Sequence, residues 1–308
     1  MNWTLPDGDN CQGILFKPEN FDSTKKYPLI FNYYETSSQA LYDYHKPGWT
    51  NSSNINVPYY VSRGYLVFMP DIHIKIGDPL RSALNAVESA ARILSKRGYI
   101  DPKKMALIGH SYGGFETNYI ITHSNLFAAA VEGAGASNYI SLYGSVLLSG
   151  SSKEWDAETG QMRIGTSLWQ RPDLYLKNSA VLKADHVATP LLILHNKLDD
   201  AVPWEQGVEL FTALRRLGKL CWMLQYDGEG HGLLKQENLR DYTIRQLQFF
   251  DHYLKGAPAP KWMTEGVTGR LKGINNGYEL DVNGKEPQEQ EVWYDGKFQK
   301  VSGGNKNR

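Results

Sequence analysis

Met105-Ala-Leu-Ile-Gly-His-Ser-Tyr-Gly-Gly-Phe115 runs from a short apolar strand through a G-x-S-x-G turn into the start of a helix. A serine on so sharp a strand-to-helix turn sits in a strained backbone conformation that leaves no room for a neighbouring Cβ. Gly109 and Gly113 therefore make the turn possible, and Gly114 lets the helix pack closely. The turn pushes the Ser111 hydroxyl out at the carboxyl end of a sheet, the position of a nucleophile. The helix beginning there aims its first N–H groups at any oxyanion forming on a substrate, and the Tyr112 N–H is the natural first donor.

Outward from this turn, the chain alternates strand with helix. Apolar runs at residues 12–17, 27–34 and 65–69 read as strands, and residues 81–97 carry Leu84, Val87, Ala91 and Leu94 on one helical face. The alternation continues with strands at 105–108, 127–131, 190–195 and 221–226 and helices at 115–121, 204–217 and 240–254. Such alternation predicts a mostly parallel, doubly wound sheet covered by helices on both faces. Residues 35–56 read as a loop at the edge of a site. Residues 134–188 break the pattern with an irregular, Trp-containing segment, where a lid or substrate-binding insertion would sit. Gly256-Ala-Pro-Ala-Pro260 is expected to end the catalytic domain, 1–260, leaving 261–308 as a poorly structured extension or small hairpin turning at Asp295-Gly296.

Among 308 residues, 33 basic and 33 acidic side chains cancel without like-charge runs, so neither a nucleic-acid footprint nor a polybasic membrane patch is indicated. The first residues show neither a basic stretch nor an apolar core, and no apolar run is long enough to span a bilayer. A soluble chain without a signal peptide is the expectation, and its compartment stays open. Cys11 and Cys221 lack metal-type spacing and read as isolated thiols, with a disulfide between them left open. No His-Glu-x-x-His, Cys-rich or paired-carboxylate pattern occurs, so neither metal nor cofactor is expected.

A serine hydroxyl near neutral pH needs a base, and the base needs a carboxylate to fix its tautomer. In a sheet-based site the chain order is Ser, acid, His, with acid and histidine each following a late strand. Leu191-Leu-Ile-Leu-His195 leads into Asn-Lys-Leu-Asp199-Asp-Ala-Val-Pro203, and Met223-Leu-Gln-Tyr-Asp-Gly-Glu-Gly-His231 supplies the next strand and a histidine loop. Of eight histidines, only His231 lies at a Gly-flanked strand end after the acid. His110 should point away from Ser111, and His195 should brace the acid loop. Adjacent side chains on an extended segment point to opposite sides, so either Asp199 or Asp200 faces His231, and spacing does not choose.

Gly109-His-Ser-Tyr-Gly-Gly114, Leu194-His-Asn-Lys-Leu-Asp-Asp-Ala-Val-Pro203, Phe211-Thr-Ala-Leu-Arg-Arg-Leu-Gly-Lys219 and Gly228-Glu-Gly-His231 together resemble the catalytic domain of the prolyl oligopeptidase family of serine peptidases. The resemblance covers residues 3–260 and implies an α/β-hydrolase fold. It also implies Asp199 as the acid, because the first aspartate of D-x-x-V-P fills that role in the family. A tyrosine hydroxyl after an early strand supplies the second oxyanion donor there, which corresponds to Tyr34, with Tyr33 as the alternative. Many relatives have glycines directly after that tyrosine, whereas Glu35-Thr36 follow here. Family members usually carry an N-terminal β-propeller that caps the site, so the chain is either a module of a longer protein or a propeller-free hydrolase. In dipeptidyl-cleaving relatives an R-Y-M-G segment gives an aromatic to the proline pocket. Met162-Arg-Ile-Gly165 puts Arg163 at that position, which would suit an acidic substrate side chain.

The expected activity is hydrolysis of short peptides by acyl transfer. A carboxylic ester hydrolase on the same machinery is the nearest alternative, and a non-catalytic binding module the more distant one.

Overall fold

The computed structural model describes residues 1–271, 273–289, 291–294 and 297–300. In chain order it begins with strands β1 (Asn2–Thr4), β2 (Asn10–Phe16) and β3 (Tyr27–Asn32), helix α1 (Val57–Val61), strand β4 (Leu66–Pro70) and helix α2 (Pro79–Leu94). Strand β5 (Ile100–His110), helix α3 (Tyr112–Ile121) and strand β6 (Ala129–Gly133) form its centre. Short helices α4 (Tyr139–Tyr143), α5 (Glu154–Glu158) and α6 (Pro172–Asn178) fill the irregular stretch. The body continues through β7 (Leu191–Leu194), α7 (Glu205–Arg216), β8 (Cys221–Leu224) and α8 (Gln236–Lys255) to α9 (Lys261–Thr264).

The eight strands form one sheet in the order β1-β2-β4-β3-β5-β6-β7-β8. The pairs from β4 to β8 are parallel, while β1–β2 and β2–β4 are antiparallel. The fold is the expected α/β-hydrolase arrangement. Residues 134–188 do hold the short helices expected of an insertion.

Strand alternation explains why its central strands read as unbroken apolar runs. Leu29, Phe31, Leu66, Phe68, Leu107, Leu191 and Ile193 face one core, beneath α2, α3 and α7. Ile30, Val67, Ala106, Ile108, Val131 and Leu192 face the other, beneath α1 and α8. Side chains of period two, buried on both sides, leave few polar positions in these strands, Asn32 of β3 and Glu132 of β6 being buried exceptions.

Packing continues past Pro260. Trp262 and Met263 are buried in the second core, and Trp262 Nε1 donates to Gln248 Oε1 at 2.9 Å. Arg245 of α8 donates to the Asn276 carbonyl at 3.0 Å, and Asp281 N donates to the Ala259 carbonyl at 2.7 Å. Trp262, Asn276 and Tyr278 thus lie against α8. Further on, β9 (Glu291–Tyr294) and β10 (Lys297–Lys300) pair antiparallel with Tyr294 opposite Lys297. The expected Asp295-Gly296 turn lies outside the described residues. Cys11 and Cys221 are separate buried thiols. Among the described residues no helix is long and apolar enough to cross a membrane.

Candidate active site

Ser111 occupies the turn between β5 and α3 with φ 57° and ψ −120°, a conformation ordinary L-residues avoid. Its N–H is fixed on the Gly133 carbonyl at 2.7 Å. The glycines around it are dictated by contact. A Cβ on Gly109 would lie 2.2 Å from the Gly113 carbonyl oxygen, one on Gly113 2.5 Å from the Tyr33 carbonyl oxygen, and one on Gly114 2.7 Å from the Gly133 carbonyl oxygen. These close approaches seat the helix on β6 and bring the Tyr33–Tyr34 backbone against its first turn.

Asp199 and His231 meet at the carboxyl ends of β7 and β8. The His231 Nδ1 lies 3.0 Å from Asp199 Oδ1 and 2.9 Å from Oδ2, so its N–H points at the buried carboxylate. Asp199 Oδ1 also accepts the N–H groups of Ala201 at 2.8 Å and Val202 at 2.9 Å. Burial alone would raise this carboxyl's pKa. The bond from His231, its charge and the two amides outweigh burial and hold the group below the ordinary carboxylate value. Asp200 points the other way, exposed, and accepts the Ser149 N–H of the insertion at 2.8 Å. Burial and bonding partners thus separate two aspartates that spacing could not.

Side chains that motif reading passed over clamp the acid and histidine loops together. Asn196 donates to the Gly230 carbonyl at 2.9 Å and accepts the Tyr226 N–H at 2.9 Å, tying one loop to the other. Glu229 turns inward and accepts from Leu234 N at 2.9 Å, Lys235 N at 3.0 Å and Asn238 Nδ2 at 2.6 Å. Those bonds outweigh burial and hold it ionised, below the ordinary value. A glutamate between two glycines was the available signal. His195 donates to the Val202 carbonyl at 3.0 Å, bracing the acid loop.

His110 reaches back from the elbow. Its Nδ1 accepts the Ser53 N–H at 3.3 Å, so its Nε2 carries the proton and donates to the His231 carbonyl at 2.8 Å. Burial, then the neighbouring His231, pushes its pKa down to about 4, so it serves as a neutral strut between elbow and histidine loop. The loop expected at the site's edge is there too, since Leu233 N donates to the Asn51 carbonyl at 2.7 Å.

The two candidate tyrosines part company. Tyr33 is 1% exposed and its hydroxyl bonds Thr117 of α3 at 2.8 Å, whereas Tyr34 is 40% exposed at the rim beside the Tyr112 ring. The segment after Tyr34 is held by Asp71, which accepts the N–H groups of Ser37 at 2.6 Å and Ser38 at 2.7 Å. Arg163 faces Glu35 from the insertion and grips both its oxygens, each at 3.0 Å. It does so from a left-handed backbone, φ 50°, one of three such non-glycine residues among those described. Beneath this pair Glu116 is fully buried, and neither carboxyl oxygen has a hydrogen-bond partner among the described residues. Burial pushes its pKa well up, with the nearby Glu35 charge adding to the effect, so it is a neutral acid. Among the described residues no three His, Cys, Asp or Glu side chains gather in a way that could hold a metal ion.

The model of the prolyl oligopeptidase family matches residues 81–257, more than half of the chain. The uncharacterized peptidase YuxL of Bacillus subtilis is 29% identical over 266 residues, covering 82% of this chain and 39% of the relative. Dipeptidyl-peptidase 5 of Porphyromonas endodontalis is 26% identical over 271 residues, covering 83% of this chain and 37% of the relative. The chain therefore spans well under half the length of these relatives. Among solved structures, Pyrococcus horikoshii acylaminoacyl peptidase superposes with a TM-score of 0.64 at 22% identity, over 83% of this chain and 41% of that one. The chain belongs to the prolyl oligopeptidase family, a family of serine peptidases.

Proposed function

We propose that this chain hydrolyses short peptides through an acyl-enzyme on Ser111. His231 takes the hydroxyl proton and returns it to the leaving amine, and Asp199 fixes the tautomer and stabilises the imidazolium. The Tyr112 N–H and the Tyr34 hydroxyl hold the oxyanion. Water then deacylates the serine. One observation carries the reading: a buried, ionised Asp199 grips the His231 Nδ1–H with both oxygens, on loops strutted by His110 to the elbow that strains Ser111. Relatives and fold neighbours named dipeptidyl-peptidase and acylaminoacyl peptidase favour a peptide over an ester substrate. A fluorophosphonate probe should label the chain and leave Ser111→Ala unlabelled, and peptide anilides should be turned over. Turnover of p-nitrophenyl esters without any peptide anilide would replace the peptidase reading with an esterase.

Arg163 is the residue proposed to meet the substrate side chain on the acyl side. Glu35 already takes the Nη1/Nη2 edge of its guanidinium with both carboxylate oxygens. A substrate carboxylate that binds this edge must displace Glu35. Comparing chromogenic peptides with Glu or Pro before the scissile bond tests this. A Glu preference abolished in Arg163→Ala supports it, and equal turnover of both peptides ends it.

A further inference from the structure

Gln161 lies between the Arg163–Glu35 pair and the Tyr34 hydroxyl, and its amide group is fully committed to both. One Nε2 hydrogen reaches Tyr34 Oη at 3.0 Å and the other reaches Glu35 Oε1 at 3.0 Å. Arg163 Nη1 closes the ring by donating to the Gln161 carbonyl oxygen at 3.0 Å as well as to Glu35. The Gln161 backbone is itself anchored: its N–H donates to Asp156 Oδ1 at 2.9 Å, and Asp156 is buried and paired with Lys153 at 2.6 Å. The preceding residue can only be glycine, because a Cβ on Gly160 would lie 2.7 Å from the Asp156 Cα.

A phenol that stabilises an oxyanion must keep its own proton free to donate. A hydrogen bond received on its oxygen does this, because it occupies a lone pair, fixes the hydroxyl rotor and polarises the O–H outward. Gln161 Oε1 already lies 3.3 Å from Tyr34 Oη and is the weaker, competing acceptor for the phenol's proton; the amide turned over would put that acceptor at the nearer position, 3.0 Å away. Glu35 decides between the two orientations. Its carboxylate only accepts, and the Arg163 guanidinium keeps it charged: although burial pulls its pKa up, the bonds from Arg163 and Gln161 hold it below the ordinary value. The amide must therefore present Nε2 to Glu35, which also makes Nε2 the nearer partner of Tyr34.

We propose that Gln161 is a positioning residue for the oxyanion: oriented by the Arg163–Glu35 pair, it donates to Tyr34 and thereby leaves the Tyr34 proton directed at the substrate oxygen. The proposal rests on the reading of Tyr34 as an oxyanion donor. It gives the glutamate that stands where relatives have glycine a task, and it links the residues meeting the substrate side chain to those meeting its carbonyl.

A double-mutant cycle read by fluorophosphonate labelling tests it, with the maximal rate of Ser111 modification separated from the half-saturating probe concentration and the thermal midpoint recorded for each variant. Tyr34→Phe should slow the maximal rate about 100-fold, as loss of an oxyanion donor does. Gln161→Met, which keeps the length and loses the amide, should slow it about tenfold, as loss of a hydrogen bond to a reacting group does, with half-saturation within twofold. Gln161→Glu should be slower still, because its carboxylate takes the Tyr34 proton and repels Glu35. In the Tyr34→Phe background Gln161→Met should cost nothing further. Tyr34→Phe at wild-type rate would overturn the oxyanion reading and the proposal with it. A slow Tyr34→Phe combined with an inert or fully additive Gln161→Met would overturn the proposal alone.

Discussion

The two walls of the site treat buried acids in opposite ways. On the wall built by β7 and β8, Asp199 and Glu229 are buried yet ionised, and each is paired with several donors. On the wall built by α3, Glu116 is as deeply buried but neutral, with neither oxygen bonded within the described residues, and the Tyr139 hydroxyl is in the same condition. Burial costs a charge far more than fixed donors cost to assemble, so the side that supplies donors keeps its carboxylates charged and the other gives up the charge. The first wall is organised to hold one imidazole in one orientation. The second is organised around the guanidinium of Arg163 and the rings of Tyr112 and Tyr139.

The largest effect should come from removing charge on the ionised wall. Asp199→Asn keeps the size of the side chain but offers an amide that favours the wrong His231 tautomer, and a loss of about 10⁴ in kcat is expected with KM little changed. A loss under tenfold would break the assignment of this wall to proton transfer. Next comes Glu229→Ala, which strands two amide N–H groups and the Asn238 amide. It should lower unfolding free energy by about 2–3 kcal/mol, measured by denaturant unfolding, and slow turnover because the histidine loop loses its inner anchor. Unchanged stability would mean that Asn196 and His110 alone hold the loop.

How far the sequence reached follows the same division. Ser111 and its glycines were legible because their reasons are local: the strain is at one residue, and the clashes lie within five residues or across one sheet neighbour. The sheet was legible because strands buried on both faces read as almost continuous apolar runs, with Glu132 of β6 an exception. Asp199 and Asp200 were not separable by spacing, since alternation says that they differ and not which one turns inward. Glu35 and Arg163 are 128 residues apart, and nothing at either position announces the other. The same holds for Asn196 with Gly230 and for His110 with Ser53. Residues after Pro260 were expected to be poorly structured or a small hairpin, whereas Trp262 and Met263 are buried, and Trp262 bonds Gln248 on α8, a partner outside any local window. The strand β1, three residues long, is too short for alternation to register.

The neutral wall gives an effect that vanishes at low pH and grows only as the pH rises, with the clearest sign. Burial raises the Glu116 pKa well above its ordinary 4.5, so between 4.5 and the folded-state value the folded chain holds a proton that the unfolded chain has lost. Stability from this group is complete below 4.5 and is lost as the pH rises, by at most about 1.4 kcal/mol per pH unit. Glu132, also fully buried with its pKa pushed well up, acts in the same direction. Glu116→Gln replaces the protonated acid by an amide of the same shape that cannot titrate. It should therefore match the wild type near pH 4.5 and become progressively more stable than it toward pH 8, while Glu132, His110 and His195 contribute the same slope to both proteins. Denaturant unfolding across that range reads the difference directly. Parallel curves for the two proteins would mean that Glu116 does not hold its proton on folding, and the contrast between the walls would then lie in geometry alone.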